Sequence, residues 1–343
     1  MRKTDLWTPS NQPQFSRRNL LLGGVGLGAI GLLAACGSDT NSSNGAADSE
    51  SGALTSLTAG VLPIVDVAAI YIASTQGIFQ NHGLDIDMTL AQGGAAVVPG
   101  VVAGDFMFGF SNLTSLLIAR SRGLNLKTVA PGSGSNGQVG ADYFGVFVAG
   151  DSDIQNGADL SGHTIAVNTV QNINDSTIKA ALEDAGGDPD SVTFMEIGFP
   201  DMPAALENGQ VDAIAVAEPF LTQVIDNGGR DVLSAYARPV DNLTVSAYFT
   251  SDDLWNENPD TVTAFQEAMA QAQQIAREDE QAVREVLPSY TGIEPELAER
   301  IILPSFPEKI NAESTQVLAD LAEEGGFLEG DLNVSDLLGE GSH

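Results

Sequence analysis

Cysteine is almost absent from this 343-residue chain, which has only Cys36. An internal disulfide and a cysteine-based zinc site are therefore both excluded. Basic side chains are scarce, 14 Lys and Arg against 46 Asp and Glu, giving a formal charge of −32. Nucleic-acid binding depends on cations that neutralise phosphates, so no nucleic-acid partner is expected, and an anionic lipid surface is an equally poor one. The three histidines, His82, His163 and His343, form no H-E-x-x-H spacing, and no G-x-S-x-G elbow occurs. No catalytic residue, metal or cofactor is expected, and an enzyme is the rival class. What is present can build a core: 43% of residues are hydrophobic and 17% charged, unlike disordered acidic chains. The length fits two domains.

Residues 1–35 have the layout of a signal peptide, with Arg2, Lys3, Arg17 and Arg18 ahead of an apolar run over 20–35. That run has 16 residues, five of them glycine, short of the roughly 20 apolar residues that span a bilayer. Leu33-Ala34-Ala35-Cys36 resembles the bacterial lipobox, which implies that Cys36 accepts a diacylglycerol and fixes the chain to the membrane. Ser16-Arg17-Arg18-Asn19-Leu20-Leu21 resembles the twin-arginine export signal, with Leu20 where phenylalanine is frequent; an ordinary basic segment for general secretion is the alternative. Residues 36–53 lack basic groups and periodicity and read as a flexible tether. Without 1–35 the chain keeps 10 basic and 45 acidic residues, a charge of −35.

From Leu57 onward β-like runs alternate with helical patterns, and the plan is used twice. LTAGVL, VAAIYIASTQGIFQNHG, LDIDMTL, VVPGVVAG and FMFGFS read as strand, helix, strand, helix, strand; HTIAVN, DSTIKAALEDAGG, SVTFMEI, DMPAALENG and VDAIAVAEP follow in the same order. The helix-ending glycines Gly104 and Gly209 are 105 residues apart, and the strands beginning near Thr58 and Thr164 are 106 apart. This predicts an α/β fold of two lobes with mostly parallel sheets, in which ligands meet the carboxyl ends of strands. After Tyr248 the pattern turns helical, with one long helix expected over 261–287. Reading Tyr143–Ala149 and Val245–Thr250 as crossover segments gives a discontinuous first lobe, 54–148 plus 246–343, and a second lobe, 149–245.

Three stretches carry a family resemblance: 60–112 with the block Gly77, Phe79, Gly83, Leu84, Asp85; DLSGHTIAVN; and DMPAALENGQVDAIAVAEPF ending in Glu218-Pro219-Phe220. They resemble the NMT1/THI5-like and aliphatic sulfonate/nitrate/taurine (SsuA-like) group of periplasmic-type solute-binding proteins. The resemblance implies a type II periplasmic-binding-protein fold, two lobes on two crossover strands with a helical C-terminal region. It also implies a monomer that closes on a small molecule and presents it to an ABC permease and its ATPase outside the cytoplasm. A lipid anchor would keep such a receptor at the cell membrane. The pyrimidine synthases of the same group resemble it in shape, but their cysteine-rich metal motif is missing; a sensor lipoprotein is the remaining alternative.

Candidate ligand contacts lie in loops at strand ends. Asp66 follows the first strand; Gln92, Gly93 and Gly94 follow the second, where glycine admits close approach and helix N–H groups point outward. Ser111, Asn112 and Thr114 follow the third, and Asn168, Asn172, Asp201 and Glu218 lie in the second lobe. Ser111, Asn112, Asn174 and Asp201 are also good helix caps, a role that needs no ligand. Tyr143, Phe199, Phe220 and Tyr248 suit either stacking on a flat ligand or the core. None of the ten basic residues after residue 35 falls in these loops. A neutral or cationic, heteroaromatic ligand such as a pyrimidine is therefore expected, with a sulfonate, nitrate or taurine as the alternative.

Overall fold

The computed structural model describes residues 54–330 and 332–343; the export signal, Cys36 and the tether lie outside them. Ten strands form two five-stranded sheets of the same topology. The first half supplies β1 (Thr55–Val61), β2 (Leu84–Leu90), β3 (Phe108–Asn112) and β4 (Leu126–Pro131). The second supplies β5 (Phe144–Val148), β6 (Thr164–Val167), β7 (Thr193–Glu196), β8 (Ala213–Ala217) and β9 (Arg230–Leu233), and the chain then returns as β10 (Ser246–Ser251). The orders are β2-β1-β3-β10-β4 and β7-β6-β8-β5-β9. In each sheet three strands are parallel, and the fourth in line, β10 or β5, runs antiparallel to both its neighbours.

Position in the sheet explains the sequence of each strand. Central β5 (FGVFV) and β8 (AIAVA) are buried at every residue, whereas the edge strand β2 alternates buried and exposed along LDIDMTL, as expected for strands covered on both faces and for a partly solvated edge. Helices cover the faces, and the expected stops at Gly104 and Gly209 fall at residues of left-handed backbone, φ +80° and +65°, a conformation that side chains with a Cβ resist.

Two expectations are corrected. The lobe boundary at 148 falls at the far end of β5, which pairs with β8 and β9 and so belongs to the second sheet; an apolar run announces a strand but not its ladder partners. The lobe crossings are the segments before β5 and β10, about 132–143 and 234–245. The long C-terminal helix is two helices, Pro259–Glu278 and Glu280–Val286. Asp279 between them is extended, and its side chain accepts from Gln281 N at 3.0 Å and Ala282 N at 3.2 Å. The periodicity continues through 279, but the local cap outcompetes continuation. The first of these helices packs on sheet one through Phe265, stacked on Phe108 at 3.9 Å.

Candidate functional site

The carboxyl ends of both sheets meet across a cavity of about 30 Å³. Leu62, Ile64, Asp66, Gly94, Phe110, Asn112 and Ser246 line it from the first lobe; Phe144, Asn168, Ile173, Phe199 and Ala217 from the second; Tyr143, Tyr236 and Val245 from the crossings. The lobes are shut: Ser115 Oγ donates to Asn172 Oδ1 at 3.1 Å, and Val65 N donates to Glu218 O at 3.1 Å. In this shut state there is room for a water-sized group. A ring enters only if the lobes part; on the wall the rings of Phe144 and Tyr236 stack with centroids 3.9 Å apart.

Asp66 sits in a short 3-10 turn, Val65–Val67, that follows β1. It is 3% exposed, and its Oδ1 accepts from Ser133 Oγ and from Tyr143 OH at 3.1 Å. Ser246 supports this pair, accepting from Ser133 N at 2.8 Å and lying 2.8 Å from Ser133 Oγ. Asp66 Oδ2 has no partner among the described residues. Burial pushes the Asp66 carboxyl up to about 6 against the lowering bonds from Ser133 and Tyr143. The sequence offers Tyr143 only as a ring to stack on a flat ligand or join the core, not as a hydrogen-bond partner of Asp66, and does not single out Ser133 or Ser246; only their place beside the crossings hints at them.

The other candidate residues divide by location. Gly94 lines the cavity because it must approach β3 closely: a Cβ there would stand 2.9 Å from Ser111 Cα. Ser111 and Thr114 are fully buried behind it, each with a hydroxyl that has no partner among the described residues. Asn112 both lines the cavity and caps the helix Leu113–Ser121, accepting from Ser115 N at 2.8 Å. Asn168 lines it from the opposite lobe. Gly93 abuts Asn168 and Thr169, and Gln92 reaches Gly198, so these two lie along the seam between the lobes. Asn172 caps the helix Ile173–Asp184, the role expected of Asn174, and is taken up by Ser115. Asp201 is exposed at the start of the helix Met202–Glu207, makes no side-chain cap and does not line the cavity. The residue that reaches the cavity from that turn is Phe199.

Glu218 is fully buried outside the cavity lining. Its Oε1 accepts from Thr222 Oγ1 at 2.6 Å and from Ile302 N at 2.9 Å, and its Oε2 from Thr222 N at 3.1 Å. The carboxylate thus closes the end of β8 onto the C-terminal segment, which sequence spacing could not reveal. Burial pushes it up to about 7, against these bonds and the nearby Arg284. Phe220 and Tyr248 are buried outside the cavity lining. No Lys or Arg among the described residues lines the cavity. A larger opening of about 720 Å³ lies behind the hinge, beside Arg277 and Arg284. It contains none of the candidate residues, and both guanidinium groups donate to backbone carbonyls there.

Two sheets, each with one antiparallel strand among parallel ones and the first completed by the returning β10, around a closed cleft define a two-lobed solute-binding fold. The alkanesulfonate-binding protein SsuA from Xanthomonas axonopodis pv. citri shares it, with a TM-score of 0.69 at 19% identity over 83% of this chain and 98% of that one. The nitrate-binding protein NrtA from Synechocystis PCC 6803 shares it with a TM-score of 0.68 at 14% identity, over 83% and 86%. The profile of the NMT1/THI5-like family matches residues 64–282, and the chain belongs to that family. Among curated relatives, a formylaminopyrimidine-binding protein of Halalkalibacterium halodurans is 27% identical over 50% of this chain and 49% of its own length. The chain thus spans about half of that relative. Riboflavin-binding protein RibY of Chloroflexus aurantiacus is 26% identical over 75% of this chain and 74% of its own.

Proposed function

We propose that this protein is the substrate-binding component of an ABC importer, a monomer outside the cytoplasm that closes on a small organic molecule and delivers it to the permease. Lipidation of Cys36 and export through the Arg17-Arg18 signal hold it at the membrane in this reading, and it performs no catalysis. The ligand is neutral or cationic, with an N–H or charged nitrogen against Asp66, as in an aminopyrimidine. One observation carries this: Asp66 Oδ2 is buried and unpartnered beside a cavity lined by no Lys or Arg among the described residues. An unpaired buried carboxylate is costly and gains most from a donor or cation. A sulfonate or nitrate would meet that carboxylate with like charge. The pyrimidine- and riboflavin-binding relatives support a heterocyclic ligand.

A thermal-shift panel of pyrimidines, amines, alkanesulfonates, taurine and nitrate tests the reading. A ligand at 100 times its dissociation constant adds about 2.7 kcal/mol to the folded state. Stabilisation by a nitrogen heterocycle, abolished in Asp66→Asn, is expected; stabilisation by sulfonates or nitrate alone would sink it. Loss of membrane retention in Cys36→Ser tests the anchor.

A further inference from the structure

Charge is only half of what the cavity specifies, because the hydrogen-bond sense of its amides is also set. Tyr236 is buried, and burial keeps its phenol neutral, raised well above 10. Its O–H is a donor that needs an acceptor, and it meets Asn174 Oδ1 at 2.7 Å. That leaves Asn174 Nδ2 to donate, which it does to Asn168 Oδ1 at 2.8 Å. Turning the Asn174 amide over would set an N–H against the phenol O–H and leave that proton without an acceptor. The oxygen of Asn168 therefore already accepts one hydrogen bond from within its own lobe. Its Nδ2, beside Gly93, has no acceptor among the described residues.

The opposite lobe repeats the arrangement. Asn112 Oδ1 already accepts from Ser115 N at 2.8 Å, and its Nδ2 donates to no acceptor among the described residues. Asn112 and Asn168 line the cavity together with Asp66. The lining thus combines two amides, each with its oxygen already accepting one bond and its N–H groups unengaged, with one carboxylate that has an open acceptor.

We infer that the ligand is bipolar: it carries a carbonyl-type acceptor as well as the N–H or cationic group, with Asn168 the specificity-determining residue for that acceptor and Tyr236 its positioning residue through Asn174. This rests on the reading of Asp66 as the contact for the donor end. A site whose unengaged amide groups are chiefly donors disfavours a guest without an acceptor, because closing the lobes then leaves those N–H groups unpaired. Simple amines and donor-only heterocycles are thereby distinguished from amino-carbonyl heterocycles.

Two six-membered-ring probes separate these classes: cytosine, with an amino group and a carbonyl, and 4-aminopyridine, protonated at neutral pH and without an acceptor. Calorimetric titration of the full chain is expected to give cytosine an advantage of about tenfold or more. In Tyr236→Phe the Asn174 and Asn168 amides are released while Asn112 stays held by Ser115, and the advantage shrinks to about threefold or less; in Asn168→Asp, nearly isosteric but acceptor-only, it reverses. Equal affinity of both probes for the unaltered protein, binding of neither, or an advantage unchanged in both variants overturns the inference. Asp66→Asn identifies the other failure: unchanged cytosine binding there refutes the Asp66 reading while the probe ratio still reports on Asn168.

Discussion

Asp66 and Glu218 sit one hydrogen bond apart, since Val65 N donates to Glu218 O across the lobes. Both carboxyl groups are buried, and both are pushed up by burial, to about 6 and about 7. They differ in what is left open. Glu218 uses both oxygens on Thr222 and Ile302, whereas Asp66 gives one oxygen to Ser133 and Tyr143 and leaves the other bare. In the proposed reading, burial and a raised pKa do not by themselves mark the ligand contact; an unfilled acceptor at the cavity wall does, since Asp175 is also buried, raised to about 6 and bare at Oδ1 but lies outside the lining. The satisfied acid fastens the scaffold, and the unsatisfied one holds free energy in reserve for a guest.

The largest effect that would break this contrast is in Glu218→Ala. It strands the N–H groups of Thr222 and Ile302, so a loss of about 4 kcal/mol is expected in urea unfolding; a loss as small as that of a surface substitution would remove Glu218 from the scaffold. Next comes pH. The two carboxyl groups ionise near 3.8 and 4.5 in the unfolded chain and near about 6 and about 7 when folded. The folded state thus binds more protons in that window, and the stability these groups contribute is complete below about pH 4 and lost as pH rises through 6 and 7. A shift of about two units makes this about 3 kcal/mol per group. Unfolding at pH 5 and pH 8 should show ligand-free protein less stable at pH 8, and Asp66→Asn should recover its share at pH 8 while abolishing ligand binding. A flat profile would show that these acids are not buried in solution. Ser115→Ala, which removes the cross-lobe bond to Asn172, is expected to weaken stability by about 1 kcal/mol. Arg300→Ala breaks the exposed pair with Asp226 and should leave the unfolding midpoint unchanged.

The fold was legible where local chemistry decides it. LDIDMTL coincides with β2, and Gly104 and Gly209 end their helices, because strand alternation and left-handed stops are written in neighbouring residues. The place of β5 in the second sheet was not, since pairing with β8 and β9 depends on partners 65 or more residues away. The site divides likewise. Asn112 follows from a strand-to-helix junction. Tyr236 lies in an irregular segment without periodicity, and reaches the cavity only because the second crossing returns there. Glu218 and Asp201 looked alike as acids at strand or helix ends, and only the packing shows one sealed by Thr222 and Ile302 and the other turned to solvent.

The returning β10 also sets a schedule for synthesis. β4 pairs only with β10, and β3 reaches its antiparallel neighbour through Asn112 opposite Ser246. At 5–20 residues per second, the first sheet waits on the order of ten seconds for its fourth strand. Its apolar ladder edges stay open until nearly the entire second lobe has been made. A nascent chain stopped before residue 246 has all strands of the second sheet, complete at Leu233, but cannot finish the first lobe or the cleft, so the first half of the chain closes only after the second has been made.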